Sequence, residues 1–411
     1  VAGLVFAQHF FVIRLNTGSM HNAIADLVQR EIYSRTILTI NYADNGFIRR
    51  GLGGTIVKLL SSDWKLSTLQ FIAFSFAWLL IPCGLLFARL VGVVPKAVLV
   101  FMGVVLVFSP QTFAGASHDP ARTDMLVQGF IAWAVLATLS QRRWAGVALI
   151  LVGSLAHETA VIFGAPILLV CNFTDYRAGV IDRGTGLRLA LGFGAALVAL
   201  LLLQSLAAAP ARTAAHMLAA TPTGLEPTYR LWRDIAIYMT VSGADSLRTA
   251  ICHNVEINSQ HGLTAVFAII VALAYPIILP LRTRPLSVFV TMFVPLVFML
   301  IIANDTGRWL RFAVLNGWLL AMFLLIAGYR LVEFDRRALA IGGTMLAGLL
   351  VMGFTPYNYA NAATHRITVK LGFPDPGSLD IWMDRCDPGW RRWIYGGTRQ
   401  PAGKADGASV L

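Results

Sequence analysis

A chain of 411 residues that is 57% hydrophobic and 13% charged, with a mean hydropathy of +0.67, lies far from soluble domains, in which about a quarter of residues are charged. In a soluble protein the formal charge of +12 would point to nucleic acid. Here the Lys and Arg residues sit mostly in short loops between apolar runs, so orientation and lipid contact account for them and no nucleic-acid partner is expected. The composition indicates an all-α, polytopic integral membrane bundle.

The apolar run Val1–Ile13 is too short to span and carries no cleavage signal, so it reads as the tail of a first helix that begins before Val1, or as a start assigned too late. Between Asn22 and Thr39, Ile24, Leu27, Val28, Ile32 and Thr36 fall along one stripe, as in an amphipathic helix lying at the interface. It leads into NYADNGFIRRGLGG, Asn41–Gly54, where Asp44, Arg49, Arg50 and a cluster of glycines precede the first complete span. Paired guanidinium groups grip phosphate through forked hydrogen bonds, and glycine lets the backbone come close to a bound group through left-handed angles. A plain juxtamembrane loop with arginines at lipid headgroups is the alternative.

Charge-free runs follow at Leu69–Ala88, Ala97–Ser109, Met125–Ser140, Ala145–Cys171, Leu187–Ala208, Leu263–Leu281, Leu286–Ala303, Trp309–Tyr329 and Ala338–Pro356. Ala145–Cys171 is too long for one helix and carries His157-Glu158 at its middle. Counted as a hairpin of two passes, it puts every basic loop on one face: Arg89 and Lys96, Arg142 and Arg143, Arg177, Arg183 and Arg188, Arg282 and Arg284, and Arg330, Arg336 and Arg337. Counted as one pass, it sends the last two clusters to the opposite face. The hairpin is therefore expected, for about eleven membrane segments with the N-terminus inside and the C-terminus outside.

This topology gathers the polar loops on the outer face: residues 14–66, 109–124, the 157–158 tip, 209–261 and 304–308. In SHDPARTD, Ser117 or Asp119 caps a helix that Pro120 opens, with Arg122 and Asp124 in its first turn. His118 and Arg122 then offer donors at a helix N-terminus, a ready anion site. The alternative is that Asp119 and Asp124 complement the helix dipole and Arg122 pairs with one of them.

His157-Glu158 lacks the second histidine that a zinc-binding helix would place one turn later. Glu158 reads as a proton carrier, as the partner of an arginine from another loop, or as one half of a structural ion pair. In NDTGRWLRF, Asp305 precedes a helix that carries Arg308 and Arg311 on one face, where either can hold a phosphate. The segment 210–261 fits short interfacial helices. Residues 357–411 form a small extracytoplasmic tail after a membrane domain over 1–356, and Cys252 and Cys386 can pair in an oxidising periplasm.

A many-spanning chain with an amphipathic helix and an acidic residue in its first outer loop, followed by outward-facing His, Asp, Glu and Arg clusters, resembles the GT-C superfamily. These are integral membrane glycosyltransferases that take sugar from a polyprenyl-phosphate donor. The resemblance implies that Asp44 is the catalytic base or orients the acceptor; the residues themselves add His118, Asp119, His157 and Glu158 as further catalytic candidates on the same face. It implies phosphate-holding roles for Arg49, Arg50, Arg308 and Arg311, to which the helix-start reading adds Arg122, with Asp124 and Asp305 as further residues of the same loops. The expected partners are a lipid-linked sugar donor, a glycan or lipid acceptor and membrane lipids, at the periplasmic face of a bacterial inner membrane. Asp44 stands alone where several of these families carry an acidic pair, which leaves open whether a divalent metal, Mg or Mn, takes part. Two other functions share the same features: a transporter or flippase for an anionic lipid or sugar, and a polysaccharide polymerase or ligase.

Overall fold

The computed structural model describes residues 38, 41–42, 50–60, 64–108, 123–206, 284–302 and 306–329. Among these the chain is helical and holds no strand. In chain order the helices are α1 (Gly51–Leu60), α2 (Trp64–Leu90), α3 (Lys96–Phe108), α4 (Asp124–Leu139), α5 (Arg143–Ala156), α6 (Thr159–Arg177) and α7 (Arg183–Leu206). Three pieces, Pro285–Val288, the π-helical turn Phe289–Phe293 and Val294–Ile302, run on as α8, and Thr306–Ile326 is α9. The expected segments Leu263–Leu281, Ala338–Pro356, 210–261 and the C-terminal tail, with Cys252 and Cys386, lie outside the described residues.

The run Ala145–Cys171 is divided by an extended His157 (φ −168°, ψ 136°) into α5 and α6. The two helices fold back on each other. A Cβ on Gly153 would lie 3.1 Å from the Ala160 Cβ, and one on Gly164 would meet the Ile150 side chain. Several helices extend past the charge-free runs that announced them, because a helix continues into polar surroundings once its end is satisfied. α7 starts at Arg183 rather than Leu187 because the Asp182 carboxylate accepts the Thr185 N–H at 2.5 Å and so caps the first turn. Asp182 is held below the usual carboxylate range by that hydrogen bond.

α4 lies at the centre, with nearly every residue from Asp124 to Leu136 buried, and α9 is sealed from Phe312 to Leu325. Trp78 of α2 rests on Gly129 of α4 so closely that a Cβ there would stand 2.9 Å from the Trp78 carbonyl oxygen. Small residues at such crossings let helix backbones approach where the surrounding medium gives little drive for association. Mid-bundle, the Asn316 amide donates to the Phe163 carbonyl at 2.7 Å and to the Thr291 carbonyl at 3.4 Å, tying α9 to α6 and to the π-turn of α8. The bundle turns large apolar side chains outward, including Ile81, Val100, Phe173, Leu191, Val198 and Phe289. Gln70–Leu90 and Thr159–Arg177 are long and apolar enough to cross a membrane.

The contacts fix which ends lie together. Arg89 bonds Ser140, Arg143 pairs with Asp175, Tyr329 bonds the Thr174 carbonyl and Arg284 lies over the Tyr329 ring. The chain around 89, 140–143, 175, 284 and 329 thus shares one end, and the opposite end holds the starts of α1, α4, α6 and α9.

Candidate functional site

Four helix N-termini meet at the second end, and two arginine–carboxylate pairs lace them together. Arg50, just before α1, grips Glu158 at the start of α6 through both carboxylate oxygens: Nε donates at 3.0 Å and Nη2 at 2.5 Å. Arg308, in the first turn of α9, grips Asp124, the first residue of α4, in the same forked way, with Nε donating at 2.5 Å. The guanidinium of Arg308 also lies 4.7 Å from the centre of the Trp309 ring.

Helix dipoles make the placement of these arginines informative. Each N-terminus carries about half a positive charge, so a carboxylate there is stabilised and an arginine is not. Asp124 suits its position, whereas Arg308 sits in the first turn of α9 with no acidic residue beside it in that turn. The cluster of two arginines and two carboxylates is formally neutral, but four helix ends add roughly two positive charges in all. Counted over the described residues, this end of the bundle favours an anion.

Arg50 takes a left-handed backbone, φ 60°, which is uncommon outside glycine and marks stored strain. The glycines that follow it do different work from that expected. Gly51, Gly53 and Gly54 are helical and buried, and a Cβ on Gly53 would collide with Thr123 Cγ2 at 2.7 Å. They bring α1 against the start of α4, while the left-handed angle falls on the arginine itself.

His157 lies between the two pairs. It is buried, its Nδ1 stands 3.6 Å from a Glu158 oxygen, and its ring centre is 6.4 Å from that of Trp309. Nδ1 accepts the Thr159 N–H at 3.2 Å, so a neutral ring carries its proton on Nε2, which has no hydrogen-bond partner among the described residues. Burial lowers the histidine well below its ordinary range; Arg50 and then Arg308 lower it further, against Glu158 and Asp124. At neutral pH His157 is an uncharged N–H donor.

The structure thus brings together Arg50, Asp124, His157, Glu158 and Arg308. Arg311 lies one turn beyond Arg308 on α9, half-buried. Asp44, Arg49, His118, Asp119, Arg122 and Asp305 lie outside the described residues. One expectation is corrected: α4 begins at Asp124, with Thr123 as its N-cap and no side-chain cap, rather than at Pro120. The acidic residue itself satisfies the positive helix end. Among the described residues no three His, Cys, Asp or Glu gather as a metal-binding set, and both site carboxylates are taken by arginines.

Sequence reading missed Tyr42. Its N–H donates to Thr55 Oγ1 at 2.8 Å and its hydroxyl donates to the Leu155 carbonyl at 3.2 Å, which ties the start of the first polar stretch to the end of α5. Burial pushes its phenol up to about 12. Its place just ahead of Asp44 was the one available signal.

No family model, curated protein or solved structure matches this chain. The geometry of the cluster is therefore what a functional reading has to stand on.

Proposed function

We propose that the chain is a membrane glycosyltransferase of the GT-C kind, moving a sugar from a polyprenyl-phosphate donor to a glycan or lipid-linked acceptor at the extracytoplasmic face of the bacterial inner membrane. One observation carries the reading: two forked arginine–carboxylate pairs flank a buried neutral histidine where four helix N-termini meet at one end of an apolar bundle. A proton-coupled carrier would be expected to place its ionisable groups along a path near mid-membrane. Among the described residues the buried polar groups between the two ends of the bundle are uncharged, and Asn316 is spent on two backbone carbonyls.

In this reaction the acceptor hydroxyl attacks the anomeric carbon, a new carbon–oxygen bond forms, and the bond from that carbon to the donor phosphate breaks. Asp44, two residues beyond the anchored Tyr42 in the sequence, takes the hydroxyl proton. Arg308 and Arg50 hold the phosphate as its charge grows, each giving up part of its carboxylate contact to the leaving oxygens. The positive helix ends support the same charge. No step requires a covalent intermediate.

The test is transfer from a panel of radiolabelled polyprenyl-phosphate sugars in membranes holding equal amounts of folded wild type, Asp44→Asn or Arg308→Gln. Wild type gives labelled product, Asp44→Asn gives none, and Arg308→Gln falls by about 10²–10³-fold, the usual cost of one donor to a developing anion. Absence of product with every donor overturns the reading and turns attention to transport in proteoliposomes. Full activity of Asp44→Asn removes that residue as the base.

A further inference from the structure

At the opposite end from the candidate site, α5, α6 and α7 enclose a groove with a cavity of about 460 Å³, within the range of roughly 300–1,000 Å³ common for small-ligand sites. Its floor is apolar and sealed: Val147, Leu168, Leu189 and Phe193 are all buried. Its walls are apolar and open: Leu169, Phe173 and Leu187 are each about half exposed (46%, 58% and 57%). Among the described residues its polar lining is Asn172, Tyr176 and Arg183. The Asn172 Nδ2 donates to the Leu168 carbonyl, while its Oδ1 is buried without a partner among the described residues.

Charge selects the occupant. From Gln141 to Ala190, this end of the bundle carries Arg142, Arg143, Arg177, Arg183 and Arg188 against only Asp175 and Asp182. Asp175 is consumed by Arg143 and Asp182 caps α7. Arg188 leans back on its own helix, donating to the Gly184 carbonyl and to Thr185. Exposed Arg183, beside the positive N-terminus of α7, is the charged group that lines the groove. An apolar trough with a basic mouth, opening sideways from a bundle whose neighbours are also apolar, has the polarity of an anionic phospholipid.

We propose that this groove is a binding site for one anionic phospholipid, with an acyl chain laid between α6 and α7 along Leu168, Phe173, Leu187 and Phe193 and its phosphate at Arg183. The site is separate from the Arg50–Glu158 and Arg308–Asp124 cluster, and it holds whether or not that cluster transfers sugar. Basic residues at the bases of both helices make it a site selected by headgroup charge as well as by chain.

The experiment uses the full chain in phosphatidylcholine nanodiscs doped with phosphatidylglycerol bearing a photoactivatable diazirine on its acyl chain, with crosslinked peptides mapped by mass spectrometry. Wild type is expected to crosslink within residues 168–176 and 186–193. Unlabelled phosphatidylglycerol should compete about fivefold better than phosphatidylcholine, the selectivity of one basic residue at a membrane surface. Arg183→Gln, an exposed change, keeps the crosslinks and loses that preference. Gly186→Leu fills the groove: a Cβ there comes no nearer to a neighbour than 3.9 Å from Ile181 Cδ1, leucine is the better helix former, and the crosslinks disappear. The proposal is overturned by a wild type that does not crosslink there, by crosslinks that survive Gly186→Leu, or by equal competition from the two lipids.

Discussion

Arg143 and Asp175 meet at one end of the bundle with only 6% and 7% of their side chains exposed, whereas Arg50 and Glu158 at the other end keep 21% and 25%. The sealed pair joins the outer ends of one hairpin, α5 and α6. At the other end the open Arg50–Glu158 pair joins α6 to the residue before α1, and the Arg308–Asp124 pair, 11% and 10% exposed, joins α4 to α9, across 108 and 184 residues of sequence. A buried pair with no route to a ligand can only hold the fold. Arg50–Glu158 stays partly open and Arg308–Asp124 places an arginine against the helix dipole, and these are the pairs proposed to change partner.

The largest effect expected from breaking this contrast is at the sealed end. Asp175→Asn leaves Arg143 buried without its counter-ion and should cost about 3–5 kcal/mol of stability, measured by denaturant or thermal unfolding in detergent. An Asp175→Asn protein as stable as wild type would mean that the two ends do not differ in kind.

The next test swaps charges at the open end. Asp124→Arg with Arg308→Asp puts an unfavourable arginine on α4 and a favourable aspartate on α9, dipole terms of about 0.3–1 kcal/mol each that offset one another. Stability should return to within about 1 kcal/mol of wild type, while the proposed transfer stays at least about a hundredfold down, because the donor proposed to hold the phosphate has moved. Recovery of both would make the pair structural, like its counterpart at the sealed end.

The smallest effect is in pH dependence. His157 has a folded pKa below its ordinary 6.5, so as pH falls the unfolded chain takes up a proton before the folded one does. Its contribution is full above about pH 6.5 and declines below that by up to about 1.4 kcal/mol per pH unit. Melting temperatures from pH 7.5 to 5 should fall in wild type and fall less steeply in His157→Gln. Parallel curves would remove the histidine from the account.

Much of this was legible in the sequence because charge in a membrane chain is sparse and positioned. The distribution of arginines called for a break at His157-Glu158, and α5 and α6 part there. Pairing was not legible: an arginine from another loop was one of three readings of Glu158, and only the packing of α1 beside α5 selects Arg50. The glycines of GLGG were read as loop residues because glycine permits left-handed angles. Their buried helical role depends on Thr123 lying 2.7 Å from where a Cβ would be, a contact made across 70 residues. The helix start at Thr306 was legible from Asp305 just before it. The start at Arg183 was hidden by its own charge, since a rule that ends a span at the first arginine cannot see the Asp182 cap that lets the helix begin earlier.

On the membrane reading proposed above, the length of α5 carries a consequence for the bilayer around it. Fourteen residues rise about 21 Å, roughly 9 Å less than a hydrocarbon layer of about 30 Å. With Arg143 at the level of one leaflet's headgroups, the His157 turn stops short of the other leaflet's surface. Lipids beside it must thin or let water down to meet Arg50 and Glu158. The protein would thus sit in a dimple of its own making, in which a lipid phosphate is drawn inward to the arginines and a water-soluble acceptor has a wet path down to it.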